Sequence, residues 1–282
     1  MDIANRDQAE YWNTGAHADH WMTHQADYDR MLEPFTSIIL DATMSSTTVN
    51  VLDVGCGFGV TTCAAARLAG AGEAVGIDLS GQMLARARDR AREAGLANAS
   101  FIEGDAQVYP FEPRCFDVVI SRFGVMFFAD PVSAFANLRA ATRPQGRLSF
   151  VCWQPLTANA WLLVPGAALA QYVALPDLGP ADQPGMFGLA DPDRLTRILS
   201  KAGWQAIDVT PRQAEILIGG GGTVDDAVEF LRTGSLGRAV LGGADPVTEA
   251  LAVAAVRTAL APFADANGVH LGAADWHVTA IA

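Results

Sequence analysis

The stretch Val49-Asn50-Val51-Leu52-Asp53-Val54-Gly55-Cys56-Gly57-Phe58-Gly59 constrains this chain more than any other. An apolar, β-branched run ends in an acidic residue, three glycines then alternate with other residues, and the small residues Thr61 to Ala66 follow. The pattern predicts a strand, a tight loop and a helix. Glycines let such a loop turn with positive φ and let a ligand come close, because no Cβ stands in the way. The free N–H groups of the loop then gather at a helix N-terminus.

The alternation continues downstream. A helix over Val60 to Leu68 leads to a strand, Ala74 to Asp78. Ser80 is a good N-cap for a helix striped with Met83, Leu84 and Ala87, and Gly95 closes it. Strands follow at Ser100–Glu103 and Phe116–Ser121, then a helix opened by Asp130-Pro131 with Phe135 and Leu138 inward. Pro144-Gln145-Gly146 turns the chain into the strand Arg147 to Trp153. Beyond it, Ala158–Ala174, Asp191–Ala202, Thr223–Thr233 and Val247–Ala264 read as helices, and Trp204–Ile218 and Trp276–Ile281 as strands. Before the glycine loop, helical spacing runs from about Asn5 to Met44. Strands alternating with helices at this spacing mean crossover connections and a mostly parallel sheet. The expected fold is α/β: a Rossmann-like, seven-stranded, mostly parallel sheet with its last strand antiparallel, flanked by helices and capped by helices over its carboxyl edge. The expected division is a cap segment 1–44, a core 45–153, a helical insertion 154–203, and a closing part 204–282 whose own insertion spans 223–266, all in one compact domain.

Composition narrows the function. The net charge of −12 argues against a nucleic-acid or anionic-membrane partner, since phosphate contacts need a basic face. Lys201 is the sole lysine, and Arg86, Arg88, Arg90 and Arg92 read as a solvated helix face. Cys56, Cys63, Cys115 and Cys152 lack metal-ligand spacing and read as reduced thiols in a cytoplasmic protein. Met1 to Arg6 has no basic region followed by an apolar run, so no signal peptide is expected. Leu148 to Pro176 carries no charge, but Gln154, Pro155, Asn159, Pro165 and Gln171 interrupt it, so membrane insertion is not expected.

In an open parallel sheet, ligands bind outside the carboxyl ends of the strands. Asp78 ends the second strand, 23 positions after Gly55, where a carboxylate can accept from both hydroxyls of a ribose. Asp105-Ala106 follows the third, where a carboxylate can accept from an adenine amino group. Ser121 to Met126 follows the fourth and offers carbonyls and apolar side chains.

Val51 to Gly57, Gly76-Ile77-Asp78-Leu79-Ser80, Gly104-Asp105-Ala106, Phe116 to Val119 and Arg143 to Leu148 resemble the successive motifs of class I S-adenosylmethionine-dependent methyltransferases. The similarity is greatest to the small-molecule branch that includes ubiquinone/menaquinone-biosynthesis-type enzymes, and it is strong over residues 45 to 155. It implies S-adenosylmethionine as cofactor, held by Asp53, Gly55, Cys56, Gly57, Asp78, Leu79, Met83, Gly104, Asp105, Ala106, Arg122, Phe123 and Gly124. Asp53 also reads as a support for the loop. One departure is Gln145, where the family's turn usually has a second glycine.

Methyl transfer to a small, largely apolar acceptor, at oxygen, nitrogen or carbon, is the function expected. Trp12, Trp21, Met126, Trp153, Trp161 and Phe187 are the candidate acceptor wall, although core packing explains such side chains as well. His17, His20 and His24 share a helical face; without a further ligand nearby they do not suggest a metal, and His20 and His24 are the candidate general bases, with Asp191 behind them. A homodimer is allowed. Two other readings stay open: a relative that binds S-adenosylmethionine without transferring methyl (a cyclase or a binding module), and an NAD-dependent oxidoreductase, which should show G-x-G-x-x-G instead of G-x-G-x-G.

Overall fold

The computed structural model describes residues 3–41, 48–175 and 183–282. Its centre is a seven-stranded sheet in the order β3-β2-β1-β4-β5-β7-β6. The chain begins with α1 (Arg6–Asn13), α2 (Gly15–Thr23), α3 (Gln25–Met31) and α4 (Thr36–Asp41). β1 (Val51–Val54), α5 (Val60–Ala69), β2 (Ala74–Asp78), α6 (Gly81–Glu93) and β3 (Ala99–Glu103) then build one half of the sheet. β4 (Phe116–Arg122), α7 (Pro131–Ala141) and β5 (Thr142–Trp153) build the other half. α8 (Ala160–Leu169) and α9 (Pro192–Lys201) precede β6 (Gln205–Leu217), and α10 (Val224–Thr233), α11 (Ser235–Leu241) and α12 (Pro246–Leu260) intervene before β7 (His270–Ile281). β1 to β5 pair in parallel, and β7 runs antiparallel to both β5 and β6. The architecture is the one the alternation implies.

The boundaries follow local chemistry. Three helices open on Asp-Pro: Asp130, Asp191 and Asp245 each accept backbone N–H bonds into the first turn, with proline just inside it. Thr223 and Asp226 form a reciprocal capping box on α10. The N-terminal segment is helical, as its spacing implies, and it is divided into short pieces. It breaks at Thr14, which is extended before Gly15 at φ +71°, at His24, and at a 3₁₀ turn over Glu33–Phe35 that contains Pro34. The expected end of that run at Met44 lies outside the described residues. The helix expected over Ala158–Ala174 is shorter, α11 was not anticipated, and β7 starts six residues early, so that His270 already pairs with Leu217. Gln145 takes φ +68°, the left-handed conformation that glycine adopts freely.

β1 is flanked by β2 on one side and β4 on the other, so the strand order reverses between β1 and β4. Such a reversal opens a crevice at the carboxyl ends of the strands. There the loops after β1 and β4 touch through glycine. A Cβ on Gly55 would sit 2.7 Å from Gly124 Cα, and one on Gly124 would sit 2.6 Å from Val54 O and 2.8 Å from Gly55 Cα. These are backbone atoms, which cannot swing away. Gly124→Ala is therefore expected to cost about 1–3 kcal/mol, the usual range for forcing atoms into a filled interior, read as a lower urea midpoint.

Asp275 on β7 is buried, and neither carboxylate oxygen has a hydrogen-bond partner among the described residues. Burial pushes its carboxyl up to about 6, against the nearby Arg212 cation. A carboxyl raised in the folded state stabilises the fold fully below its unfolded value, and that contribution is lost as pH rises through the folded value. Asp275→Asn removes this titration. Its stability relative to the parent chain is expected to improve by about 2 kcal/mol between about pH 4.5 and about pH 7.5, measured by urea unfolding. The comparison with the parent cancels the opposite trend of half-buried His17 and buried His20, which desolvation holds down at about 4.

Candidate active site

A cavity of about 1090 Å³ lies over the crevice. Ligand pockets commonly span about 300–1,000 Å³, so there is room for more than one small molecule. One end is polar and made by the strand-end loops. Gly55, Cys56, Gly57, Asp78, Leu79, Met83, Gly104, Asp105, Ala106, Arg122, Phe123 and Gly124 all line the cavity.

The glycine loop leaves this wall open. Gly57 has φ +51°, and a Cβ there would meet nothing closer than Met83 Sδ at 3.9 Å. The loop is held from beneath by Asp78, whose Oδ2 accepts from Gly57 N at 2.8 Å and whose Oδ1 accepts from Ser80 N at 2.9 Å. Burial raises the Asp78 carboxyl, and those backbone bonds oppose the rise. A carboxylate has about four lone-pair sites, so these bonds do not fill it. Asp53 is different. It is fully buried and does not line the cavity; its Oδ2 accepts from Thr61 Oγ1 at 2.5 Å and Thr62 Oγ1 at 2.6 Å. Burial pushes it up to about 6. Its place is under the first turn of α5, tying the helix to β1.

Asp105 lines the cavity but spends its oxygens elsewhere. Oδ2 accepts from Ala4 N and Asn5 N, each at 2.8 Å, and Oδ1 accepts from Asn5 Nδ2 at 2.7 Å and Gln107 N at 3.0 Å. Asn5 is itself buried, and its Oδ1 accepts from Ala129 N. At the far end of α1, Asn13 Nδ2 donates to Leu79 O at 2.9 Å. α1 therefore lies as a strap across the loops after β2, β3 and β4. Nothing in the residue pattern around Asn5 announces this role, which depends on residues about a hundred positions away.

Arg122 donates to Leu32 O at 3.3 Å and Thr36 Oγ1 at 2.9 Å. Burial pulls its guanidinium down, and Asp29 and Asp53 oppose that. Asp29 lines the cavity and pairs with Arg90 of α6. The Cys56 thiol is buried, which pushes its pKa well up and leaves it no nucleophile.

The other end is apolar. Trp12, Trp21, Met126, Trp153, Trp161 and Phe187 line it, together with Tyr28, Leu162, Phe230 and Val240. Trp153 stacks on Phe123 at 3.9 Å and meets Trp161 at 5.3 Å; Trp21 stacks on Tyr28 at 3.5 Å. His20 and His24 do not line the cavity. His20 is buried behind Tyr28 and Phe230, at 5.8 Å and 5.4 Å between ring centroids, and His24 Nδ1 pairs with Asp27 at 2.8 Å. The histidine in the wall is His17, from the same helical face. Its Nδ1 is bonded to Ser235 Oγ at the start of α11, and its ring stacks on Tyr11 at 3.8 Å. Burial, helped by Arg238 and His20, holds His17 down at about 4, so it is neutral near pH 7. Its partner Ser235 comes from the unanticipated helix α11, which explains why sequence spacing did not single out His17. Asp191 also lines the cavity, with Oδ1 capping α9.

Residues 51–146 match the family described as a methyltransferase domain. The aklanonic acid methyltransferase DauC of Streptomyces sp. is 37% identical over 128 residues, which cover 44% of this chain and 58% of that protein. The ubiquinone/menaquinone biosynthesis C-methyltransferase UbiE of Idiomarina loihiensis is 33% identical over 102 residues, 36% of this chain and 41% of that protein. The chain thus spans about half the length of the curated relatives it matches. Among solved structures, the [4+2]-cyclase SpnF superposes with a TM-score of 0.52 at 21% identity, covering 87% of this chain and 79% of that one, and so shares the fold. Over residues 51–146 the chain is thus similar to a methyltransferase domain, and its curated relatives named here are methyltransferases.

Proposed function

We propose that this protein transfers a methyl group from S-adenosylmethionine to a small, largely apolar metabolite. The observation that carries this is a single cavity with two unlike parts to its lining: the strand-end loops with the Asp78 carboxylate, and a set of aromatic side chains. The names of the two relatives, one acting on aklanonic acid and one in ubiquinone and menaquinone biosynthesis, support a small organic acceptor.

The residues present fit the cofactor. Gly57 leaves the wall clear, and Asp78 can accept from ribose hydroxyls with the lone pairs its backbone partners leave free. Gly55, Cys56, Leu79, Met83, Gly104, Ala106, Phe123 and Gly124 would form the bed around it, and Arg122 with Asp29 would supply charges of both signs for the amino-acid end. Asp53 would act on the site only through α5. Bound S-adenosylmethionine supplies a methyl already activated on a sulfonium, so alignment and exclusion of water are the protein's main tasks. Trp12, Trp21, Met126, Trp153, Trp161 and Phe187 do both by shaping a dry chamber. At that end the neutral His17–Ser235 pair can orient a hydroxyl or carbonyl of the acceptor by hydrogen bonding. His20 and His24, one behind the wall and one paired with Asp27, are less suited to take a proton from it.

Calorimetric titration with S-adenosylmethionine and S-adenosylhomocysteine, with NAD as control, tests the cofactor. Binding of the first two but not the third is expected; binding of NAD alone would overturn the reading. Release of S-adenosylhomocysteine with a panel of hydroxylated polycyclic compounds and quinones then separates a transferase from a relative that keeps the cofactor without spending it. Asp78→Ala removes charged hydrogen bonds worth about 1.5–3 kcal/mol each and should weaken S-adenosylhomocysteine binding by about 10- to 150-fold, with circular dichroism unchanged.

A further inference from the structure

The aromatic wall built by α1, α2 and α3 carries a hydroxyl that nothing in the protein uses. Tyr11, Trp12, His17, Trp21 and Tyr28 all line the cavity. The Tyr28 ring lies flat on Trp21, 3.5 Å between centroids and 3° between planes, and meets Phe230 at 5.1 Å and His20 at 5.8 Å. Its plane is therefore fixed. Among the described residues no hydrogen bond reaches its hydroxyl, and that oxygen keeps open surface. Burial pushes the phenol up, with Tyr11 and Asp27 acting in the same direction and Arg238 against them. Tyr28 thus keeps its proton at neutral pH and stands as a donor.

The charge behind this wall is positive. Arg238 lies one turn after Ser235, the partner of His17, on α11. Its guanidinium donates to Thr233 O and makes no ion pair among the described residues. The cation acts on Tyr28, His17 and His20, lowering all three. Asp27, the carboxylate that opposes it at Tyr28, is already paired with His24 and Arg30. His17 and His20, held at about 4 chiefly by burial, stay uncharged at neutral pH and are too weak as bases to take a proton from a phenol. An anion is costly to bury unless a partner meets it, and a hydrogen bond to a charged oxygen is stronger than one between neutral groups. A fixed neutral donor with an unpaired cation behind it suits that partner's role.

We propose that the chamber binds its acceptor as an oxyanion, the ionised form of a phenolic or enolic hydroxyl, with Tyr28 Oη donating to that oxygen and Arg238 supplying a positive field behind it. This rests on the chamber being the acceptor site, as assigned above. The proton passes to water before the acceptor binds, which accounts for a wall that offers a donor and no strong base.

The test uses 2-naphthol, whose ionisation is read from its absorption beyond the tryptophan band, and naphthalene, the same rings without the hydroxyl, on the full chain without added cofactor. The parent protein should lower the ionisation midpoint of bound 2-naphthol by about one to two pH units, which means binding the anion about ten- to a hundredfold more tightly than the neutral form. Tyr28→Phe keeps the ring stack and removes the donor. It should return the midpoint by about one unit towards its value in solution and leave naphthalene binding unchanged. Arg238→Met should also shrink the shift, and Arg238→Lys, which keeps the charge, should preserve it. A midpoint at or above the solution value in the parent protein, or one that Tyr28→Phe does not move, would overturn the proposal and leave the chamber as a site for neutral acceptors. Binding of neither compound would overturn the chamber as an acceptor site along with it. Titration of S-adenosylhomocysteine into the same preparation reports on the cofactor independently of either result.

Discussion

The site depends on the contact between two glycine backbones, Gly55 after β1 and Gly124 after β4. Their approach brings the two central loops of the sheet within van der Waals distance at the point where the strand order reverses. Buried Ser121 fixes it further: its hydroxyl donates to Val54 O at 2.7 Å and accepts from Gly124 N at 3.2 Å. One side chain thus staples the ends of both strands. Asp53 does the same for the helix that follows, through Thr61 and Thr62. Gly76 in β2 lets these groups nest, since a Cβ there would fall 2.7 Å from Cys56 Sγ and 2.8 Å from Thr62 Oγ1. These ties hold the rim of the cavity from beneath.

The two ends of the cavity have different origins in the chain. The polar end comes mostly from residues 51–146, the span matched by the methyltransferase domain, and its geometry is set by backbone and by buried carboxylates. The apolar end draws on α2, α3, α8, α10, α11 and α12, all outside that span. Packing of large rings, rather than hydrogen bonding, sets its shape. Its polar features are few, and the neutral His17–Ser235 pair joins the first part of the chain to the last. A scaffold of this kind can change what it accepts by exchanging aromatic and aliphatic side chains, with no change in the loops below.

Much of this is visible in the residues alone where local rules govern. The glycine loop, the strand-ending Asp78 and the proline-led helices each depend on a few neighbours, and spacing and residue type reveal them. Asp105 was legible as a site residue, yet its partners were not, because Ala4 and Asn5 reach it across a hundred residues. Asp53 looked like a ligand contact because an acid before a glycine loop is equally suited to a helix tie; the pair of threonines that decides between them takes effect only once α5 is formed. The histidine face of α2 was evident, but which member reaches the chamber depends on α11, a seven-residue helix with little periodicity of its own. The helical character before residue 44 was visible in the spacing, while its division at Gly15 and Pro34 comes from local breakers that the longer apolar rhythm does not show.

The strap and the chamber also impose an order on synthesis. Asn5 leaves the ribosome before its partners at Asp105 and Ala129, which lie 100 and 124 residues further on, and His17 waits 218 residues for Ser235. At about 5–20 residues per second, the first tie cannot close for about 5–20 s, and the second not for about 10–40 s. Through that interval Trp12, Trp21 and Tyr28 have no wall to join. The nascent protein therefore passes through a stage in which the central sheet is assembling while these three rings are still uncovered.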